Sequence, residues 1–184
     1  MLKSFTHPLR IRLYYALGVR GSATATGLAK EVETTAQLAY YHLTRLVALG
    51  MVEEDTARPA SGRERYWKQA TRGFSLPVEE VSDRPDGIQQ LELVHRSQAA
   101  VHFEYFTRFL QNYQGSAPFR EAAFGTDEVM SLTHGQMLEL EAELNATLKR
   151  FQQRASANPA PEQAGGEDEP TATVMVFIHG FPLG

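Results

Sequence analysis

The sequence predicts an α+β protein, mainly helical with a small amount of sheet. Apolar residues recur every three to four positions through several segments, the mark of amphipathic helices. Two short alternating runs flank a turn rich in Pro, Gly and Ser, the mark of a hairpin. With 42% apolar and 22% charged residues in 184, the composition is that of a globular chain, long enough for one ordinary domain or two small ones. There is no cysteine, which excludes disulfide frameworks, thiolate metal sites and cysteine nucleophiles and fits a reducing compartment. The opening Met1-Leu2-Lys3-Ser4 has no signal-peptide apolar region, and no apolar run reaches the roughly 18 residues of a spanning helix. A soluble, cytoplasmic protein without membrane contact is expected.

Thr6-His7-Pro8 announces the first helix: a capping hydroxyl, then proline in the first turn, where its missing N–H costs nothing. Leu9, Leu13, Ala16 and Leu17 make one apolar face and Ile11, Tyr14 and Tyr15 another, so burial on two sides is expected, one of them against another helix or another subunit. Gly18 and Gly21 close this helix. Thr24 to Val32 reads as a short second helix, capped by Thr24 or Thr26, with Leu28, Ala29 and Val32 inward. Thr34 and Thr35 offer the next cap, and Ala36 to Leu49 form a third helix with Ala39, Leu43, Leu46 and Val47 inward and Gly50 as terminator. Two helices joined by a turn of about three residues make a helix-turn-helix. Met51 to Glu54 then reads as a strand, Thr56 to Gly62 as a turn and Arg63 to Lys68 as the return strand, a wing behind the helix-turn-helix. Tyr66 and Trp67 point to opposite faces of it, and one of them is expected in the core.

Residues 77–87, with two prolines and four acids, read as a linker. A helical pattern follows from Ile88 to Tyr113, with Leu91, Val94, Ala99, Phe103, Phe106 and Leu110 on or near one stripe, a natural dimer element. Asp127 to Leu132 alternates weakly as a strand, and Thr133 with Gln136 makes a capping box. The helix it opens carries Met137, Leu140, Leu144, Leu148 and Phe151. Residues 155–171 are too rich in Pro, Gly, Ala and acid to order themselves and read as a flexible loop. Thr173 to Phe181 is rich in β-formers and is expected to pair with the strand near Val129. The organisation is thus a domain over 1–76, a linker over 77–87 and a C-terminal helical dimerisation and effector region over 88–184 with a short two-stranded element.

The net charge of −4 hides an asymmetry: residues 1–76 hold 11 Lys and Arg against 6 Asp and Glu, and residues 77–184 hold 7 against 16. The front half suits a polyanion and the back half assembly or ligand binding. A recognition helix presents its N-terminal, outward residues to base edges. On the third helix the outward set is Ala36, Gln37, Leu38, Tyr40, Tyr41 and Arg45. Gln37 suits adenine and Leu38 a thymine methyl, while the first-turn amides and the Thr35 hydroxyl suit a phosphate. Arg45, farther along, suits a phosphate contact that sets register. In the wing, Arg58, Arg63, Arg65 and Lys68 gather at a tight turn, with Arg63 and Arg65 on one face, arranged for a minor groove or phosphates.

Residues 4–76 resemble the winged helix-turn-helix of the ArsR-type transcriptional regulators through His7-Pro8-Leu9-Arg10, Tyr41-His42-Leu43 ahead of Arg45-Leu46, Gly50-Met51-Val52-Glu53 and Gly62-Arg63-Glu64-Arg65-Tyr66-Trp67 ahead of Arg72-Gly73-Phe74. The tail is similar to a subgroup with an extended C-terminal region, through Leu132-Thr133 and Val176-Phe177-Ile178-His179-Gly180-Phe181-Pro182. The resemblance implies a homodimeric, usually repressing regulator of double-stranded DNA with a pseudo-palindromic operator. It puts Gln37, Leu38, Tyr40 and Tyr41 at recognition positions and Arg63 and Arg65 on the wing. Two residues depart from the pattern: Gly27 stands where a capping acid is usual, and Tyr40 where a small hydroxyl residue is common. Dimer contacts are expected at Tyr14, Phe103, Phe106 and Leu110.

Metal sensing by the family's founding members uses thiolates, which this chain lacks. His95 and His102, seven apart and about 10.5 Å along the axis, cannot share an ion within one chain and are read as surface or interface residues. His42 is read as a hydrogen-bonded structural group, and no metal or cofactor is expected. Val176 to Pro182 also looks like the oxyanion strand of an α/β-hydrolase, but no G-x-S-x-G elbow, acid and histidine follow, so no enzyme is expected. The alternative to a sequence-specific regulator is a winged-helix module whose basic face meets an acidic protein.

Overall fold

The computed structural model describes residues 7–58, 64–71, 85–112, 119–156 and 170–183. The chain divides into two compact units, Met1–Gln111 and Asn112–Gly184. The division falls after the long helix, so that helix packs with the N-terminal elements and is not part of the C-terminal region. Most of the expected linker, 77–84, lies outside the described residues, as do 59–63 of the wing turn and 157–169 of the loop.

The first unit runs α1 (Pro8–Arg20), β1 (Ser22–Thr24), α2 (Ala25–Glu31), α3 (Ala36–Ala48), β2 (Val52–Glu54), β3 (Tyr66–Gln69) and α4 (Gly87–Gln111). The second contains α5 (His134–Ala155). The architecture is the expected α+β winged helix-turn-helix, with three strands in the first unit where two were anticipated. They order β1-β3-β2, both pairs antiparallel, with Ala23 and Glu54 flanking Trp67. At three residues β1 is too short to show a period of its own, which is why the sequence does not reveal it.

Local chemistry explains the boundaries. His7, and not Thr6, caps α1: its Nδ1 accepts from the Leu9 amide at 3.3 Å. Thr24 caps α2 through the Gly27 amide at 3.1 Å. Gly21 and Gly50, at φ near 70°, end α1 and turn the chain out of α3, a conformation open to glycine at little cost. Gly18 is not a terminator but lies inside α1. A Cβ there would stand 2.7 Å from Nε2 of Gln69, whose amide donates to the Tyr14 carbonyl at 2.8 Å. That glycine makes room for a strand-to-helix tie.

Ile11, Leu13, Tyr14, Ala16 and Leu17 of α1 are buried, with Leu28, Ala29, Val32, Ala39, Leu43, Leu46, Val52 and Trp67. Of the two residues at opposite faces of β3, Trp67 is the core member. Val47, expected inward, is 39% exposed, because the buried stripe of α3 follows Ala39, His42, Leu43 and Leu46. The second face of α1 meets α4 of the same chain. Tyr14 is buried, and its hydroxyl donates to the Thr71 carbonyl at 2.7 Å, so it is used inside the chain and is withdrawn as a dimer contact.

The packed stripe of α4 differs from the expected one. Leu91, Val94, Gln98, Val101 and His102 are buried, whereas Phe103, Phe106 and Leu110 are exposed on a second stripe that includes Ala99, about a third of the way round the helix. The choice is polar. His102 Nε2 lies 2.9 Å from the Tyr15 hydroxyl, and Gln98 donates to the same oxygen at 3.5 Å. His102 is accordingly an interior group and not a surface histidine.

In the second unit Thr133 and Gln136 form the expected capping box, at 2.9 and 3.2 Å. Neither Asp127–Leu132 nor Thr173–Phe181 forms a strand. Alternation marks residues that gain from burial but does not supply a ladder; Val129 is 83% exposed and Ile178 48%. No helix among the described residues is long and apolar enough to cross a membrane.

Candidate nucleic-acid interface

The site is built on α3. Val32–Thr35 is the turn between the two helices, and within it Glu33 takes φ 56°, a left-handed conformation. The Thr34 amide donates to the Ala29 carbonyl at 2.8 Å and closes the turn. Thr35 Oγ1 accepts from the Leu38 amide at 3.2 Å, which leaves its hydroxyl proton to donate outward beside the free amides of the first turn.

Gln37, Leu38, Tyr40, Tyr41 and Arg45 are all exposed, while Ala39, His42, Leu43 and Leu46 hold the helix to the core. The aromatic members are held in place. Tyr40 meets the Trp67 ring edge-on at 5.9 Å, which links the outward face of α3 to the wing strand. Tyr41 meets the His42 ring edge-on at 5.1 Å, and the Arg45 guanidinium lies over its face at 5.3 Å. Arg45 is thereby held, solvent-accessible, on a defined mount.

Beneath Tyr41 lies a cluster that the sequence reading found only in part. Arg10 Nε donates to His42 Nδ1 at 3.1 Å, and the His7 ring lies 4.3 Å from that of His42. Guanidinium nitrogens only donate, so His42 must present a lone pair there. Burial, followed by the charges of His7 and Arg10, pulls His42 down to about 4. Burial and Arg10 also lower His7. The cluster at neutral pH is therefore one cation supported by two neutral rings, and His42 is structural, as the sequence suggested. Its contact with His7 joins residues distant in sequence and has no local signal.

The wing is less basic than its composition implies. Arg65 pairs with Glu54 at 3.4 Å and Lys68 with Glu53 at 3.3 Å, cross-strand contacts set by the β2–β3 register. Lys68 also lies 3.8 Å from Asp55, whose carboxyl is held low by the Ser22 hydroxyl, the Ala57 amide and the charges of Lys68 and Arg58. Arg58 lies over the Tyr66 ring at 5.7 Å. Arg63 lies outside the described residues. No group of three or more metal-ligating side chains comes together among the described residues.

Residues 5–55, from the approach to α1 through β2, match a family model described as a helix-turn-helix domain. No curated protein matches the chain. The N-terminal unit thus carries the element type that DNA-binding regulators place in the major groove.

Proposed function

We propose that the protein is a sequence-specific DNA-binding transcriptional regulator of the ArsR type, a cytoplasmic homodimer that acts as a repressor and has no enzymatic activity. The observation that carries this reading is the single exposed face of α3, where Gln37, Leu38, Tyr40, Tyr41 and Arg45 stand out from a helix whose other face is fully buried. In the major groove, Gln37 supplies the donor–acceptor pair that adenine matches, and Leu38 an apolar surface for a thymine methyl. The Thr35 hydroxyl and first-turn amides hold a phosphate, Arg45 holds another, and Arg65 follows the backbone from the wing.

Phe103, Phe106 and Leu110 on the outer stripe of α4 are the proposed dimer contacts, since 71%, 45% and 52% of their surfaces remain exposed. Such a dimer reads two half-sites about 10 base pairs apart. Selection of bound duplexes from a random pool tests the reading. A two-fold symmetric site with a steep fall of affinity against salt is expected, and unselective or salt-independent binding refutes it.

The second reading is a module whose basic face meets an acidic protein; what it draws on is that Arg65 and Lys68 hold carboxylates, those of Glu54, Glu53 and Asp55, in the wing itself. That reading expects no preference among duplexes, with Gln37→Ala and Arg65→Ala weakening a protein complex in place of a DNA complex.

A further inference from the structure

All residues of α5 are at least partly exposed. Yet Met137, Leu140, Leu144, Thr147 and Phe151 follow one another at alternating steps of three and four, the spacing of a coiled-coil seam. The chain's own tail gives limited cover. Gly180 lies beside the Met137 methyl, a Cβ there standing 3.9 Å from it, but Leu140 stays 36% and Phe151 59% exposed. Met137, Leu144 and Thr147 are part-buried, so the cover is partial and the open part of the seam is Leu140 and Phe151.

We propose that this face of α5 docks, antiparallel, on the same face of α5 in a second copy of the chain. The charges beside the seam identify the occupant. Glu139, Glu143, Arg150 and Arg154 lie along one flank, acidic in the N-terminal half and basic in the C-terminal half. Within a single helix this is a poor arrangement, since Glu139 and Glu143, and again Arg150 and Arg154, are like charges one turn apart. Glu143 and Arg150, seven residues or about 10.5 Å apart along the axis, cannot meet. None of the ion pairs among the described residues involves any of the four. Arg150 donates to Thr147 at 3.0 Å, and Arg154 lies over the Phe151 ring at 4.2 Å, so both guanidinium groups are held at the edge of the seam.

An antiparallel copy resolves the flank in one register. Setting Glu143 against the partner's Arg150 also sets Glu139 against the partner's Arg154, and the two-fold axis repeats both pairs. In that alignment Leu140 comes within two residues, about 3 Å, of level with the partner's Phe151, and Leu144 within the same distance of the partner's Thr147, so the apolar seam meets itself. A parallel copy sets acid against acid and base against base. The flank is therefore complementary to itself and to one orientation only, which neither a nucleic acid nor a uniformly charged partner would match.

The absence of cysteine makes thiol placement a direct test on the full chain. Positions 143 and 150 are too far apart for a disulfide within one helix, whose Cα atoms must lie within about 7 Å. Oxidised E143C/R150C is expected to run as a covalent dimer, each single variant to stay uncrosslinked, and an equal mixture of the two to crosslink. A double variant that remains uncrosslinked, or E143C alone crosslinking as readily, overturns the proposal. A second measurement uses charge in the Phe106→Glu background, which disables the α4 stripe, with helix content checked by circular dichroism. E139R/E143R and R150E/R154E chains are each expected to self-associate about a hundredfold more weakly than their parent, and their mixture to recover its affinity. Self-association indifferent to these changes overturns the proposal.

Discussion

Gln37 leaves the first turn of α3 with no partner holding it back, whereas Arg45 is steered by the Tyr41 ring, and the two should fail differently. Gln37→Ala is expected to cost about tenfold on the preferred site and to flatten preference at one base pair. Arg45→Ala should weaken all duplexes alike and reduce the slope of log affinity against log salt by about 1. Both are read by competition binding at several salt concentrations. Glu54→Gln releases Arg65 and is expected to raise DNA affinity about two- to fivefold at low salt. His42 gives a pH dependence whose sign follows from its depressed value. The unfolded chain takes up a proton near the ordinary 6.5 that the folded protein refuses until about 4. Its contribution to stability is whole above the first value and falls away as pH drops toward the second, by up to about 3 kcal/mol. Urea midpoints across that window check it, and His42→Gln should flatten the curve. The exposed face of α3 was legible in the sequence because cap and apolar period fix which side faces out. The partners of Arg65 and His42 were not, since they depend on strand register and on a contact between residues 7 and 42.

Among the elements, α4 shows how two apolar stripes on one helix can mislead. The outer stripe, with Phe103, Phe106 and Leu110, is the more hydrophobic to read, but the inner one carries Gln98 and His102, which meet the Tyr15 hydroxyl. Hydrogen-bond complementarity decided the packing, and no periodicity rule sees it. Tyr15→Phe strands both partners and is expected to destabilise the fold by about 1–3 kcal/mol, measured by chemical denaturation. α2 and α3 were legible nearly to the residue through the caps Thr24 and Thr35 and the terminator Gly50, whereas α1 is capped by His7 in place of Thr6 and runs through Gly18. The strands at Asp127–Leu132 and Thr173–Phe181 were not, because a β pattern names the residues that seek burial and leaves their neighbour open.

For the whole molecule, the charge asymmetry along the sequence suggested two parts joined by a linker over 77–87, whereas the two compact units divide after α4, which packs onto α1. Each part now has a surface proposed for a second copy, the outer stripe of α4 and the seam of α5. Sedimentation is expected to show self-association of the 20.5 kDa chain, with Phe106→Glu weakening it; a chain that stays monomeric at micromolar concentration refutes both surfaces. One detail of the sheet serves such experiments. Trp67 is the chain's one tryptophan, 4% exposed, with Tyr40 of α3 edge-on to its ring at 5.9 Å. Its fluorescence thus has a single origin, in a dry site beside the helix that would meet the ligand, so emission reports on the position of Tyr40 without a dye or tag.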